Sequence, residues 1–169
     1  MLPKKVIHVI PENAPVQGEI GEFITGLLGS TVYHQAVKRS ILIGPMAGGN
    51  DTMLEWIQQN GEILYSAHTD EVRHPYGKPL REVERKYGVA IVYAHRPLPG
   101  APGEKKPYSE ILLIDAEKAD LLPVNALKAW LYEEFGIESL RYEKNRDYEA
   151  YVKFAPAALA ALRAVGAAV

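Results

Sequence analysis

The sequence predicts an α+β fold: one domain centred on a mostly antiparallel sheet or a closed barrel, with flanking helices. Three observations carry this. Short β-branched runs bounded by Pro, Gly or Asn recur at residues 5–10, 62–67, 89–95 and 109–115. Segments with apolar residues at helical spacing lie between or after them. The chain has 169 residues, enough to bury one good core and too few for two independent ones.

Taken in order, Lys5-Val6-Ile7-His8-Val9-Ile10 is a strand stopped by Pro11. Val16, Ile20, Phe23, Ile24, Leu27 and Leu28 then follow helical spacing, with Gly29 in the position of a helix-ending glycine. Residues 30–43 read as one or two strands, 31–37 and 40–43 with Lys38-Arg39 as the turn between them, which places Tyr33 and Gln35 on one face and His34 on the other. Gly44 to Asn50 is a loop by composition; it lacks both phosphate-cradling glycine patterns.

Thr52-Met53-Leu54-Glu55 has capping-box form and opens a helix that Asn60-Gly61 stops. The strand at 62–67 leads into a charged loop, and Pro79, Leu80, Val83, Tyr87 and Gly88 define a short helix. The strand at 89–95 puts Ile91, Tyr93 and His95 on one face. Residues 96–107, rich in proline, form an exposed excursion. The strand at 109–115 is buried, and Pro123 to Phe135 form a helix closed by Gly136. Residues 140–144 and 148–154 read as a hairpin, followed by an alanine-rich helix starting at Pro156. The core is thus expected at about 5–136, with a hairpin and helix extension at about 137–169.

Composition narrows the function classes. Net charge is −2 with the two signs interspersed, and no basic run is present to neutralise a phosphate backbone, so nucleic acid is not an expected partner. The absence of cysteine removes disulfides, thiolate metal sites and a cysteine nucleophile. No secretory leader is read at the start, and the apolar tail from Phe154 is too short to span a bilayer and carries Arg163. A cytoplasmic protein is expected, without a membrane partner, folding alone or as a compact homo-oligomer.

Chemistry concentrates between Gly61 and Arg96, which holds His68, His74, His95 and the run His68-Thr69-Asp70-Glu71-Val72-Arg73-His74. A histidine of near-neutral pKa set by a neighbouring carboxylate can move a proton on a small substrate. His34, Tyr65, His68, Tyr93 and His95 are therefore the candidate catalytic residues. Tyr33, Gln35, Glu71, Arg73 and Arg96 are the candidate substrate contacts, with an arginine able to hold a carboxylate in bidentate fashion. The alternative use of the loop is a metal-dependent hydrolase with His68, Asp70 and His74 as ligands. A third reading is a non-catalytic module that pairs through its C-terminal half.

Asn13-Ala14-Pro15 opening a helix that ends Leu27-Leu28-Gly29, then Val32-Tyr33-His34-Gln35-Ala36, Ile43-Gly44-Pro45, Asn60 to Tyr65 and Lys86-Tyr87-Gly88, resembles the small bacterial cyclophilin-like barrels, the cucumopine-synthase-like branch in particular. The resemblance covers roughly residues 5 to 136. It implies a closed or nearly closed barrel and an enzyme acting on small carboxylated metabolites; it does not imply prolyl isomerase activity. The expected function is a cofactor-independent lyase, cyclase or isomerase doing acid/base chemistry on a carboxylated or nitrogen-heterocyclic small molecule.

Overall fold

The computed structural model describes residues 4–11, 18–46, 51–97 and 108–169. The start of the first expected helix, the glycine-rich loop from residue 47 and the proline-rich excursion from 98 to 107 lie outside them. The elements are β1 (Lys4–Val9), α1 (Gly18–Leu28), α2 (Thr31–Ala36), β2 (Val37–Pro45), α3 (Asp51–Asn60), β3 (Glu62–Ser66) and β4 (Glu71–Val72), then α4 (Gly77–Tyr87), β5 (Ala90–Pro97), β6 (Tyr108–Asp115), α5 (Leu121–Phe135), a 3-10 turn at Ser139–Tyr142 and α6 (Arg146–Ala164).

The six strands form one sheet in the order β1-β2-β6-β5-β3-β4. β1, β2 and β6 run parallel, whereas β6–β5, β5–β3 and β3–β4 pair antiparallel. The sheet is therefore mixed and open, which corrects both the mostly antiparallel sheet and the closed barrel. The reason lies in the connections. A parallel pair needs a crossover, and α1 with α2 supplies one between β1 and β2, α2 standing where the first of the strands about Lys38-Arg39 was expected.

Helices cover both faces. Ile24 and Leu28 of α1 and Ile57 of α3 pack on Leu42, Val92, Ala94, Ile111 and Leu113. On the other face Leu80 and Val83 of α4 and Ala157, Ala161 and Leu162 of α6 pack on Ile41, Ile43, Ile91, Leu112 and Ile114. Burial on both faces explains why Ile111 to Ile114 is an unbroken apolar run rather than an alternating one.

Two segments depart from expectation. Residues 31–36 form α2, not a strand, and β2 runs without a turn through Lys38 and Arg39. Thr31 and Val32 favour strand by propensity, but tertiary contact wins: the Tyr33 hydroxyl bonds both His8 Nε2 at 2.8 Å and Ser40 Oγ at 2.6 Å, fixing the helix on the sheet. Residues 146–164 form one helix where a hairpin was expected, and Pro156 lies inside it rather than at its start. Asn145 caps it by accepting from the Tyr148 backbone N–H at 2.9 Å. The C-terminal segment is not an appendage: Phe154 and Ala157 belong to the central core.

The end of α6 is held by two cations. Lys5 Nζ donates to the carbonyls of Gly166 and Ala167 at 2.9 and 3.0 Å, and Arg39 Nη2 donates to that of Val165 at 2.9 Å. Positive charge at a helix C-terminus satisfies orphan carbonyls and opposes the dipole. Among the described residues, no helix is long and apolar enough to cross a membrane.

Candidate functional site

One end of the α4/α6 face is polar. Alternation along β5 sends Ile91, Tyr93 and His95 to that face, and His95 pairs across the strands with Glu110, which in turn pairs with Ile41. Arg39, two residues before Ile41, projects the same way. The apolar floor thus ends in Arg39, Glu110, Tyr93 and His95.

Glu110 organises the cluster. Its two oxygens receive Arg39 Nε and Nη2, each at 2.7 Å, and the Tyr93 hydroxyl donates to Oε2 at 2.8 Å. A bidentate, charge-assisted pair of this kind is short and geometrically fixed. Glu110 is 9% and Tyr93 2% exposed, so neither can exchange its partners for water at low cost. Hydrogen bonding to Glu110 raises the Arg39 pKa and holds it cationic. Burial, reinforced by the Glu110 hydrogen bond, pushes the Tyr93 hydroxyl up, so it remains a proton donor.

Two histidines flank Tyr93. The His95 ring lies 6.4 Å from that of Tyr93 and 4.0 Å from that of Tyr108, and its Nδ1 is 3.6 Å from Glu62 Oε2. Burial lowers the His95 pKa, outweighing the opposing influence of Glu110 and Glu62, so the imidazole is neutral near pH 7. The His74 ring lies 5.8 Å from Tyr93 and 4.6 Å from Tyr76. Its Nδ1 accepts the Tyr76 backbone N–H in a long contact of 3.4 Å, which suits the tautomer with its proton on Nε2. Five rings, Tyr76, His74, Tyr93, His95 and Tyr108, therefore follow one another along the polar end of the face. Such a row can stack a planar heterocycle while two imidazoles and a fixed carboxylate frame address its polar edge.

The structure divides the candidates read from sequence. Tyr93 and His95 come together here, and His74 joins them from the loop before α4. His34 does not: its ring meets that of Tyr33, which packs against the opposite core. Tyr33 is occupied with His8 and Ser40, and Gln35 is exposed on α2. Arg96 also points to the opposite face, where it is buried and its Nη2 donates to Thr25 Oγ1 at 2.6 Å. Arg73 is exposed, and Glu71 sits in β4 paired with Ser66. Tyr65 is buried and donates to Glu84 Oε2 at 2.5 Å while Glu84 Oε1 accepts the Ile91 N–H at 2.8 Å, an anchor of α4 on the sheet.

His68, Asp70 and His74, the residues of the metal reading, face different surroundings. His68 is exposed on the turn after β3, Asp70 pairs with Arg81 at 3.0 Å and His74 turns inward to Tyr93. Among the described residues no three His, Asp or Glu side chains converge on a metal position.

Sequence reasoning missed Arg39, Glu110, Tyr76 and Tyr108. Arg39 was assigned to a turn that does not form. Glu110 did carry a signal, since a glutamate in a strand otherwise buried on both faces needs a cationic partner. No protein-family model, curated protein or solved structure matches this chain.

Proposed function

We propose that this is a cytoplasmic, cofactor-independent enzyme that moves a proton on a small nitrogen-heterocyclic or carboxylated substrate, in lyase, cyclase or isomerase chemistry. The observation that carries the reading is a neutral, half-buried His95 beside a tyrosine and carboxylate locked by Arg39. His95 is the base, since a neutral imidazole accepts a proton near pH 7. The imidazolium so formed on His95 returns the proton to the product, while His74, at the other side of Tyr93, can donate a hydrogen bond to the substrate through Nε2–H. Arg39, Glu110 and Tyr93 are the fixed electrostatic frame, whose partners need no rearrangement as charge develops. Tyr76 and Tyr108 stand at the two ends of the row and offer faces on which the substrate ring can stack.

The test is a thermal-shift screen against imidazoles, pyrimidines, amino acids and small carboxylic acids, because a ligand that binds the native state raises its apparent stability by mass action. The proposal expects a compound class that shifts the wild type and fails to shift His74→Ala and His95→Ala in folded protein. A class that shifts all three proteins equally binds elsewhere and sinks the assignment.

A further inference from the structure

α5 is apolar in composition and leaves much of its surface exposed. From Leu121 to Tyr132 it carries one charged residue, Lys128, and that one turns inward to pair with Glu149 of α6 at 2.7 Å. Val124 is buried, and the helix packs on α6 and the Ser139–Tyr142 turn. Its outer side leaves Leu122 77%, Tyr132 60%, Leu121 57% and Trp130 48% exposed. A helix that is apolar on all sides belongs in an interior, and charge depletion marks the centre of an interface rather than an ordinary surface.

The area matches a stable contact. Leu121, Leu122, Trp130, Tyr132 and Phe135, with the adjoining Leu140 and Tyr142, are each between 46% and 78% exposed, an apolar surface on the order of the 800 Å² per partner that a standard-size interface buries. The pattern also matches itself. Leu122, Ala126 and Trp130 are spaced by four and form one stripe, large-small-large. A two-fold axis through Ala126 sets Leu122 of one chain against Trp130 of the other, with the two alanines allowing close helix approach. That is the self-complementarity an isologous interface requires.

We propose that the outer face of α5 is the interface of a homodimer, formed by antiparallel packing of α5 on a second copy about Ala126. Glu133 and Glu134, both exposed at the end of the helix, fall on its rim.

The cysteine-free chain gives a direct test. Ala126→Cys should form a disulfide-linked dimer on mild oxidation, whereas Glu82→Cys, on the exposed side of α4, should not. By sedimentation, the wild type should show twice the mass of one chain. Leu122→Glu should weaken association by about thirtyfold or more, as for a central hot-spot residue, while keeping a cooperative melt. A wild type of single-chain mass at high micromolar concentration would overturn the proposal. So would a dimer indifferent to Leu122→Glu, or a failure of Ala126→Cys to outpace Glu82→Cys. A monomer that floats with lipid vesicles and loses this with Leu122→Glu would reassign the face to a membrane surface.

Discussion

Glu110 holds Arg39 through both carboxylate oxygens at 2.7 Å, and the strand that carries Glu110 sets it directly across from His95. One carboxylate thereby joins the capping of α6, through Arg39, to the histidine proposed as base. Its loss should be felt in stability as well as in binding.

Arg39→Met leaves Glu110 charged and without its cation in a mostly buried place. Breaking such a pair from one side costs about 3 kcal/mol or more, and the carbonyls at the end of α6 lose a donor as well. Arg39→Met with Glu110→Gln should recover part of that loss, because the uncompensated charge is gone and the Tyr93 hydroxyl keeps an acceptor. Urea unfolding of both single variants and the double variant measures the coupling; a double variant no more stable than Arg39→Met would contradict this.

His95 gives a pH dependence with a definite sign. Its folded pKa lies below the ordinary value of about 6.5 because of burial. The unfolded chain therefore binds more protons in that window, and stability falls as pH drops from about 6.5 through the folded value. His95→Gln should flatten this limb. Glu62→Gln removes a carboxylate that favours the imidazolium and should lower the His95 midpoint further in an NMR titration; a rise would be inconsistent with the geometry.

Glu84 behaves in the opposite sense. Burial raises its pKa, although the Tyr65 hydroxyl and the Ile91 N–H favour its charged form. Above the ordinary glutamate value of about 4.3 the unfolded chain loses its proton first, so this group costs stability as pH rises through the folded value. Glu84→Gln should match the wild type at acid pH and gain on it towards neutrality. Melting curves across that range read the difference directly, and a constant offset would count against the assignment.

Gly44 is a packing requirement within β2. A Cβ there would lie 2.7 Å from the Ile10 carbonyl oxygen, where the Ile10 N–H bonds the Ile43 carbonyl at 2.8 Å. Gly44→Ala should cost roughly 1–3 kcal/mol, the usual range for forcing atoms into a filled space. A variant within a few tenths of a kcal/mol of the wild type would show that β1 yields easily.

Many of the individual elements, though not the sheet's architecture, were legible where local pattern and tertiary context agree. The strands at 62–66, 90–97 and 108–115 and the helices ending at Leu28, Asn60, Tyr87 and Phe135 match their periodicity and stop signals closely. Strand direction was not legible, because it depends on how helices cross the sheet rather than on any residue pattern. Residues 31–36 misled because β-branched side chains favour strand until Tyr33 finds His8 and Ser40. Residues 148–154 misled because alternating tyrosine, valine and phenylalanine suits either period; the spacing of Phe154, Ala157, Ala158, Ala161 and Leu162 points to the helix. Of the site, Tyr93 and His95 were legible from alternation in one strand. Arg39 and Glu110 were not, being 71 residues apart and joined only by the parallel pairing of β2 with β6.

Small-molecule chemistry beside Tyr93 requires a bound ligand to touch His74 and His95. With five histidines in the chain, imidazole-selective NMR of the protein during titration with the best thermal-shift ligand tests it most directly. The signals of His74 and His95 should move together and saturate at one affinity, while those of His8 and His34 on the opposite face stay in place. Movement of His8 or His34 with His74 and His95 unchanged would contradict it and transfer the site to the other side of the sheet.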